Sequence, residues 1–310
     1  MKKVLVLMST YNGECYLRDQ LSSLYRQECV DVHLLVRDDG SSDGTISILN
    51  EFSDKYGKMT ILMGENMGPA KSFHYLIYLA HLEYKGYDYY AFCDQDDVWK
   101  SDKIKNAVAL LEGESAILKL YYSRTTLTDA LLNPIECHSV NEIVNSLYAN
   151  VISNHSPGCT QVFNYNLLCK VAFLSTDIQK NTSSFIPMHD CWVAVVAYAC
   201  GSKVIVDNSS YILYRQHGKN SVGGLANSCS NRIRRILDEK YCAFRVNLCS
   251  IVLKYFGSEI PEENLEFLKK VVEYKNSWFS TFKLLITKKV YAYSWKMSVP
   301  LFFMILFRRF

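Results

Sequence analysis

Residues 87–104 read YDYYAFCDQDDVWKSDKI, and this stretch decides the fold. The run from Tyr87 to Phe92 is rich in aromatics and ends in three carboxylates within four residues, Asp94, Asp96 and Asp97. Aromatic side chains suit a pleated, half-buried surface, so the run reads as a strand. Like charges this close repel, and a chain that keeps them together compensates with a cation or with hydrogen bonds. After a strand, an Asp-x-Asp projects two side chains the same way through the two-residue period. Carboxylates so placed can hold a hard divalent ion such as Mg2+ or Mn2+, which keeps part of its hydration and bridges phosphates. The plainer alternative is that they cap the helix following Trp99.

Upstream, strands and helices alternate. KVLVLMST (3–10) is a short apolar run ending at the turn Tyr11-Asn12-Gly13, and Tyr16, Leu17, Leu21, Leu24 and Tyr25 then recur as on one helix face. VHLLVRDDG (32–40) is a second strand, followed through Ser42-Asp43-Gly44 by an amphipathic helix. MTILMG (59–64) is a third, and Pro69 opens a helix to Glu83. This order predicts an α/β fold: a mostly parallel sheet with helices on both faces, whose ligands bind beyond the carboxyl ends of the strands. Thr10-Tyr11-Asn12, Asp38-Asp39-Gly40, Gly64-Glu65-Asn66 and Asp94-Gln95-Asp96 each follow a strand end, so four polar segments converge on one sheet edge.

Further along, the pattern predicts a helix over 102–111 capped by Ser101, strands near 116–122 and 161–164, and a buried helix after His189-Asp190 that ends at Gly201. KVIVD and YILYRQH read as two late strands, and the chain is helical from Asn231 on. Asp38-Asp39 can receive hydrogen bonds from a base or ribose, or serve turn chemistry. His189-Asp190 is either a general base or a helix cap. Arg215-Gln216-His217 with Asn220 suits an anionic leaving group or a further metal ligand, or forms a surface turn. No Gly-x-Gly-x-x-Gly follows the first strand and no Gly-Lys-Ser/Thr occurs, so nicotinamide and P-loop readings lose their main support. A strand ending in Asp-x-Asp also resembles the nucleophile loop of haloacid-dehalogenase-type phosphatases, but Asp97-Val98-Trp99 replaces the small residues expected there.

Of the 310 residues, 49% are hydrophobic and 21% charged, enough for a sizeable core. The net charge of +3 is uneven: residues 230–310 carry fifteen Lys/Arg against seven Asp/Glu. That basic, aromatic tail suggests an anionic surface, either lipid headgroups or nucleic acid. No nucleic-acid module accompanies it, so no nucleic-acid partner is expected. The apolar run 297–307 is too short to span a bilayer and suits either the membrane interface or packing on the domain. Eleven cysteines, odd in number and without a Cys-x-x-Cys, read as free thiols in a reducing cytoplasm, and the N-terminus does not read as a signal peptide.

In order along the chain, MSTYNGECYLRDQLSSLYRQ (8–27), VRDDGSSDGT (36–45), ENMGPAKSF (65–73), FCDQDDVWKSDKI (92–104), HDCW (189–192) and LYRQHGKNSVG (213–223) resemble family 2 glycosyltransferases. The likeness is greatest to the bacterial branch of rhamnosyltransferases and related polysaccharide-building transferases. It implies a GT-A fold over residues 1–225, with 1–100 the nucleotide-binding half and 101–225 the acceptor-binding half, and a helical extension at 226–310 that associates with membrane. By this resemblance Thr10, Tyr11, Asn12, Asp38, Asp39, Lys71 and Asp94 line the nucleotide site. Asp94, Asp96 and His217 hold a divalent cation, and His189, Arg215 and Trp99 lie near the diphosphate or acceptor. Asp190 is the catalytic base. The implied enzyme is an inverting, metal-dependent transferase working at the cytoplasmic face of the bacterial membrane. It moves a sugar, rhamnose from dTDP-rhamnose first among the candidates, from a nucleotide-sugar donor to a polyprenyl-diphosphate-linked saccharide acceptor in O-antigen or capsule synthesis. The alternatives are a UDP-hexose transferase and a non-catalytic nucleotide-sugar-binding protein. The Gln-x-x-Arg-Trp signature of processive members is absent.

Overall fold

The computed structural model describes residues 1–135, 145–218, 239–291 and 295–310. The first hundred residues alternate as their pattern requires: β1 (Lys2–Thr10), α1 (Leu17–Leu24), β2 (Val30–Asp38), α2 (Thr45–Tyr56), β3 (Met59–Met63), α3 (Pro69–Glu83) and β4 (Tyr89–Cys93). Next come β5 (Val98–Trp99), α4 (Lys103–Glu112), β6 (Lys119–Thr128), α5 (Leu147–Ile152), β7 (Val162–Asn164), α6 (Tyr165–Gln179), α7 (His189–Ala199) and β8 (Lys203–Arg215). The helices α8 (Glu239–Phe256), α9 (Glu262–Glu273), α10 (Trp278–Leu285) and α11 (Trp295–Leu306) follow.

Eight strands form one sheet in the order β3-β2-β1-β4-β7-β6-β8-β5. The pairs β3–β2, β2–β1 and β1–β4 are parallel, while β7 runs antiparallel to both β4 and β6. Strand alternation sorts two apolar layers. Val4, Val6 and Met8 of β1, with Ala91 and Cys93 of β4, face the buried stripes of α1, α2 and α4. The other register of β4 puts Phe92 against Phe73 of α3 and Phe163 of β7. Continuous apolar strands flanked by helices are what a parallel core demands.

Two stretches depart from the sequence pattern. KVIVD and YILYRQH belong to one strand, not two, because the pairing of β8 with β6 absorbs the polar Asp207–Ser210 stretch through register shifts at Ser123/Arg124 and Arg124/Thr126. The residue at the N-cap of α4 is Asp102 rather than Ser101, and it makes no side-chain capping bond. Asn220 and residues 231–238 lie outside the described residues.

The chain divides into two compact units. The first comprises residues 1–143, 156–197 and 202–216, and carries the sheet. The second comprises 144–155, 198–201 and 217–310, so it begins before residue 226 and takes in α5 and the end of α7. Within it Leu248, Val252, Phe267, Leu268 and Ile305 are buried, and Tyr274 donates a 2.7 Å hydrogen bond to the Phe310 carbonyl. No described helix is long and apolar enough to cross a membrane.

His74 of α3 is wholly buried, with Nδ1 2.8 Å from Ser175 Oγ and Nε2 3.1 Å from the Pro187 carbonyl. Burial pushes its imidazole down to about 4, against the pull of that carbonyl. Burial and the charge of His74 lower His189 well below the ordinary value of 6.5. Unfolding frees both rings to protonate near 6.5, so the folded state loses stability as pH falls from there toward 4. Asp94 and Asp97, raised by burial, shift stability the other way over the same range. The stability advantage of the wild type over His74→Gln, followed as melting temperature by circular dichroism, should therefore shrink as pH falls from 6.5 toward 4. An advantage independent of pH would contradict the neutral buried ring.

Candidate active site

At the carboxyl edge of the sheet the loops after β1, β2 and β4 are laced together. Thr10 and Asp38 are register partners on β1 and β2, and Thr10 Oγ1 donates to Asp38 Oδ2 at 2.9 Å. Asp38 also accepts from the Ser41 amide and hydroxyl and the Gly40 amide, which turns the chain. Asn12 adopts a left-handed φ of 48°; its amide donates to Ser41 Oγ and its Oδ1 accepts from the Ser42 amide, each at 2.9 Å. Tyr11 is 48% exposed at this edge.

Gln95, between the two aspartates of the Asp-x-Asp, ties β4 to β1. Its Oε1 accepts from the Tyr11 amide at 2.8 Å and its Nε2 donates to the Tyr11 carbonyl at 3.0 Å. The approach is close enough that a Cβ on Gly13 would sit 2.4 Å from Gln95 Oε1, which accounts for glycine there. Asp94 and Asp96 are thereby held half-exposed at one mouth.

Beneath them Asp97 is fully buried. One of its oxygens accepts from the Arg215 amide at 3.1 Å, while the other has no hydrogen-bond partner. Burial raises its carboxyl well above the ordinary range, and Asp94 and Asp96 add to the shift. Asp94 is pushed up to about 7 by burial, then by the charges of Asp96 and of Asp190. Asp190, in the first turn of α7, therefore shares the electrostatic field of the Asp-x-Asp, although nearly a hundred residues separate them. Its Oδ1 accepts from the Cys191 amide at 2.7 Å, and Gln161 Nε2 donates to its carbonyl at 3.0 Å.

An excess of unneutralised carboxylate invites a cation. Ligand atoms of Asp94, Asp97 and Cys159 lie within 4.8 Å of one another, the one such group among the described residues. Burial holds the Cys159 thiol protonated, and a thiol is a poor ligand for a hard ion, so the donor set that fits is oxygen-based and centres on Asp94. Asp97, with its unsatisfied buried oxygen, is one of the three carboxylates the sequence presents but was not among the expected ligands. Lys103 was missed as well. Its ammonium is buried 3.4 Å from the centre of the Trp99 ring, and burial lowers it to about 7. Asp97 stands beside Asp96 and Lys103 beside Asp102, so nothing in the local sequence marks either as buried.

Other expected site residues stand elsewhere. Asp39 is buried and faces inward: it is ion-paired with Arg37 and accepts from the amides of Met67 (3.1 Å) and Gly68 (2.8 Å). His189 is walled into the core, stacked on Phe73 at 3.7 Å and edge-on to Phe92 at 4.4 Å. Trp99 is likewise 2% exposed and packs in the core. Both rings lie in the apolar interior. Lys71 is exposed in the first turn of α3. His217, half-buried two residues beyond β8, falls in the second unit.

Arg215 is a clamp. Its guanidinium donates to the carbonyls of Asp96 (2.9 Å) and Ala130 (2.6 Å) and to Asp19 Oδ2 (3.0 Å), and lies 4.4 Å from the centre of the Tyr16 ring. It holds the acidic loop in place from the side and is itself 3% exposed.

This edge, with an acidic mouth, a turn-bound Asp-Asp-Gly and a carboxylate on a facing helix, matches a known pattern. The Glycosyl transferase family 2 model fits residues 5–163. The chain belongs to glycosyl transferase family 2. It is 34% identical over 226 residues to the dTDP-rhamnosyl transferase RfbG of Shigella flexneri, covering 70% of this chain and 73% of that one. It is 31% identical over 108 residues to an Escherichia coli enzyme, the UDP-Glc:alpha-D-GlcNAc-diphosphoundecaprenol beta-1,3-glucosyltransferase WfgD, covering 35% of this chain and 40% of that one. In fold it is similar to residues 1–349 of Staphylococcus aureus TarS in complex with UDP, with a TM-score of 0.59 at 16% identity, over 100% of this chain and 88% of that one. The fold is thus of the GT-A type, and the protein is a glycosyltransferase.

Lysine cannot reproduce the planar fork of Arg215. Arg215→Lys should cost about 2 kcal/mol in urea denaturation, since hydrogen bonds from a charged donor to part-buried acceptors are lost. Wild-type stability would show the clamp to be incidental.

Proposed function

We propose that the protein is an inverting, metal-dependent glycosyltransferase of bacterial surface-polysaccharide synthesis. It transfers a sugar from a nucleotide donor to a saccharide carried on a polyprenyl diphosphate. The observation that supports this reading is that Gly158 and Gln161 pack against Asp190, in the same short segment whose Cys159 lies within 4.8 Å of ligand atoms of Asp94 and Asp97. The donor proposed first is dTDP-rhamnose, supported by the similarity to RfbG over most of both chains. A UDP-sugar donor is the second reading, favoured by the similarity to WfgD and by the UDP complex of TarS.

Thr10, Tyr11, Asn12 and the turn at Asp38 form the wall against which the nucleotide lies, with Lys71 at the start of α3 to meet negative charge. Asp94 and Asp96 would hold a Mg2+ or Mn2+ ion, with Asp97 below. Bound there, the ion supplies electrostatic stabilisation to the diphosphate as it leaves. Arg215 keeps the Asp94–Asp97 loop from relaxing away from its own charge. Asp190 accepts the proton of the acceptor hydroxyl as that oxygen attacks the anomeric carbon from the side opposite the diphosphate. A single in-line displacement inverts the anomeric configuration. Because a polyprenyl carrier is confined to the bilayer, the enzyme works as a peripheral protein at the cytoplasmic face of the membrane.

Asp190→Asn should lower transfer by at least ~10²-fold, as loss of a general base does, while nucleotide affinity stays as in the wild type. Asp96→Ala should abolish the cation-dependent part of nucleotide binding. Radiolabelled-sugar transfer and equilibrium binding measure the two separately. Full turnover in Asp190→Asn would overturn the assignment of the base.

A further inference from the structure

The second unit exposes apolar side chains in a pattern that packing does not explain. On α10, Trp278, Phe279 and Phe282 are 66%, 68% and 55% exposed, and Ile286 follows in the next turn at 58%. Their spacing of one, four and eight places them on one helix face, while Thr281 and Leu284 point into the core. On α11 the exposed residues are Val299, Phe302, Phe303 and Phe307, spaced three, four and eight, while Leu301, Met304 and Ile305 are buried. Arg308 sits 5.5 Å from the centre of the Trp278 ring, so the end of α11 meets the start of α10 and the two exposed rows adjoin.

The charge of this region has one sign. Residues 274–310 hold seven Lys/Arg and no Asp or Glu. Lys283 lies 4.6 Å from the Phe279 ring centre, and the groove beside α10, of about 640 Å³, is lined by Lys283, Lys288 and Lys289 with Lys269 and Lys270 of α9. The acidic residues on that groove come from α9, where Glu263 pairs with Lys289 and Glu266 with Lys270.

We propose that the exposed faces of α10 and α11 form a membrane-docking surface, on which the chain lies against an anionic lipid bilayer. Trp and Phe side chains enter the headgroup–acyl boundary, and the surrounding Lys and Arg meet lipid phosphates. The helices are too short to cross, so they lie in the plane of the interface. A second copy of the chain is a poorer occupant, because self-pairing through this face would set cations against cations. The proposal deepens the reading of a bilayer-confined acceptor and rests on it for its purpose, but the lipid contact can be measured without any sugar transfer.

The full chain would be mixed with vesicles of phosphatidylcholine alone, or of phosphatidylcholine with phosphatidylglycerol, and sedimented. The wild type should bind the anionic vesicles, with binding weakened by salt. Phe279→Ser/Phe282→Ser and Phe302→Ser/Phe303→Ser should each lose binding by roughly tenfold or more while keeping the wild-type melting temperature and nucleotide affinity. Lys283→Gln/Lys288→Gln should lose the preference for anionic vesicles. Vesicle binding that survives the aromatic substitutions, or no binding by the wild type, overturns the proposal. A doubled mass by light scattering that the aromatic variants abolish, without vesicle binding, would assign the face to self-association instead. Vesicle binding without nucleotide binding would leave this surface standing and remove the proposed nucleotide-sugar site.

Discussion

Three carboxylates confined to four residues at the end of β4 are the constraint around which the rest of the site is arranged. Asp94 and Asp96 face the mouth, Asp97 lies under them, and the field of Asp190 reaches the same point from α7. Burying charge without a counter-ion is costly, and burial shifts the Asp94 and Asp97 carboxyls toward the protonated form, which meets part of that cost. A divalent cation would meet the rest. Clustered carboxylates of this kind trade stability for a charge that a cation can neutralise.

The surrounding structure serves to stop this loop from relaxing. Gln95 grips the Tyr11 peptide on one side, and Arg215 grips the Asp96 carbonyl on the other. The parallel strands β2, β1 and β4 bring three loops to one edge, and loop-to-loop bonds such as Asn12 to Ser42 fix their spacing. The site is therefore built by long-range pairing across the sheet edge, while the apolar layers on either side supply the rigidity. The rings of His189, Phe73 and Phe92 do for the helix layer what Val4, Val6 and Met8 do for the opposite one.

Much of the fold was legible because local patterns agree with it. Short apolar runs ending in Asx, Ser or Gly turns gave β1 to β4, and Pro69 marked the start of α3. The late strand β8 was split in two by its polar middle, Asp207 to Ser210, since a register shift against β6 leaves no trace in local composition. Helix α6 went unread even though Asn164 caps it through the Leu167 amide. At the site, residue types were readable and directions were not. His189 and Trp99 look available in the sequence, yet both turn inward, because what surrounds them is brought there by chain segments far away in sequence. Asp97 and Lys103 look like surface charges and lie in the interior for the same reason. The basic bias of the tail was evident from composition, whereas the division of its aromatics between core and surface required the helices to be packed.

The central claim is that the acidic mouth binds a cation and, with it, a nucleotide. It is tested most directly by calorimetric titration of the purified protein with dTDP, UDP and GDP, each in Mn2+ and in EDTA. The account predicts binding of one nucleotide well above the others, present with Mn2+ and lost in EDTA. A folded protein that binds none of the three, or binds one equally well in EDTA, would contradict it.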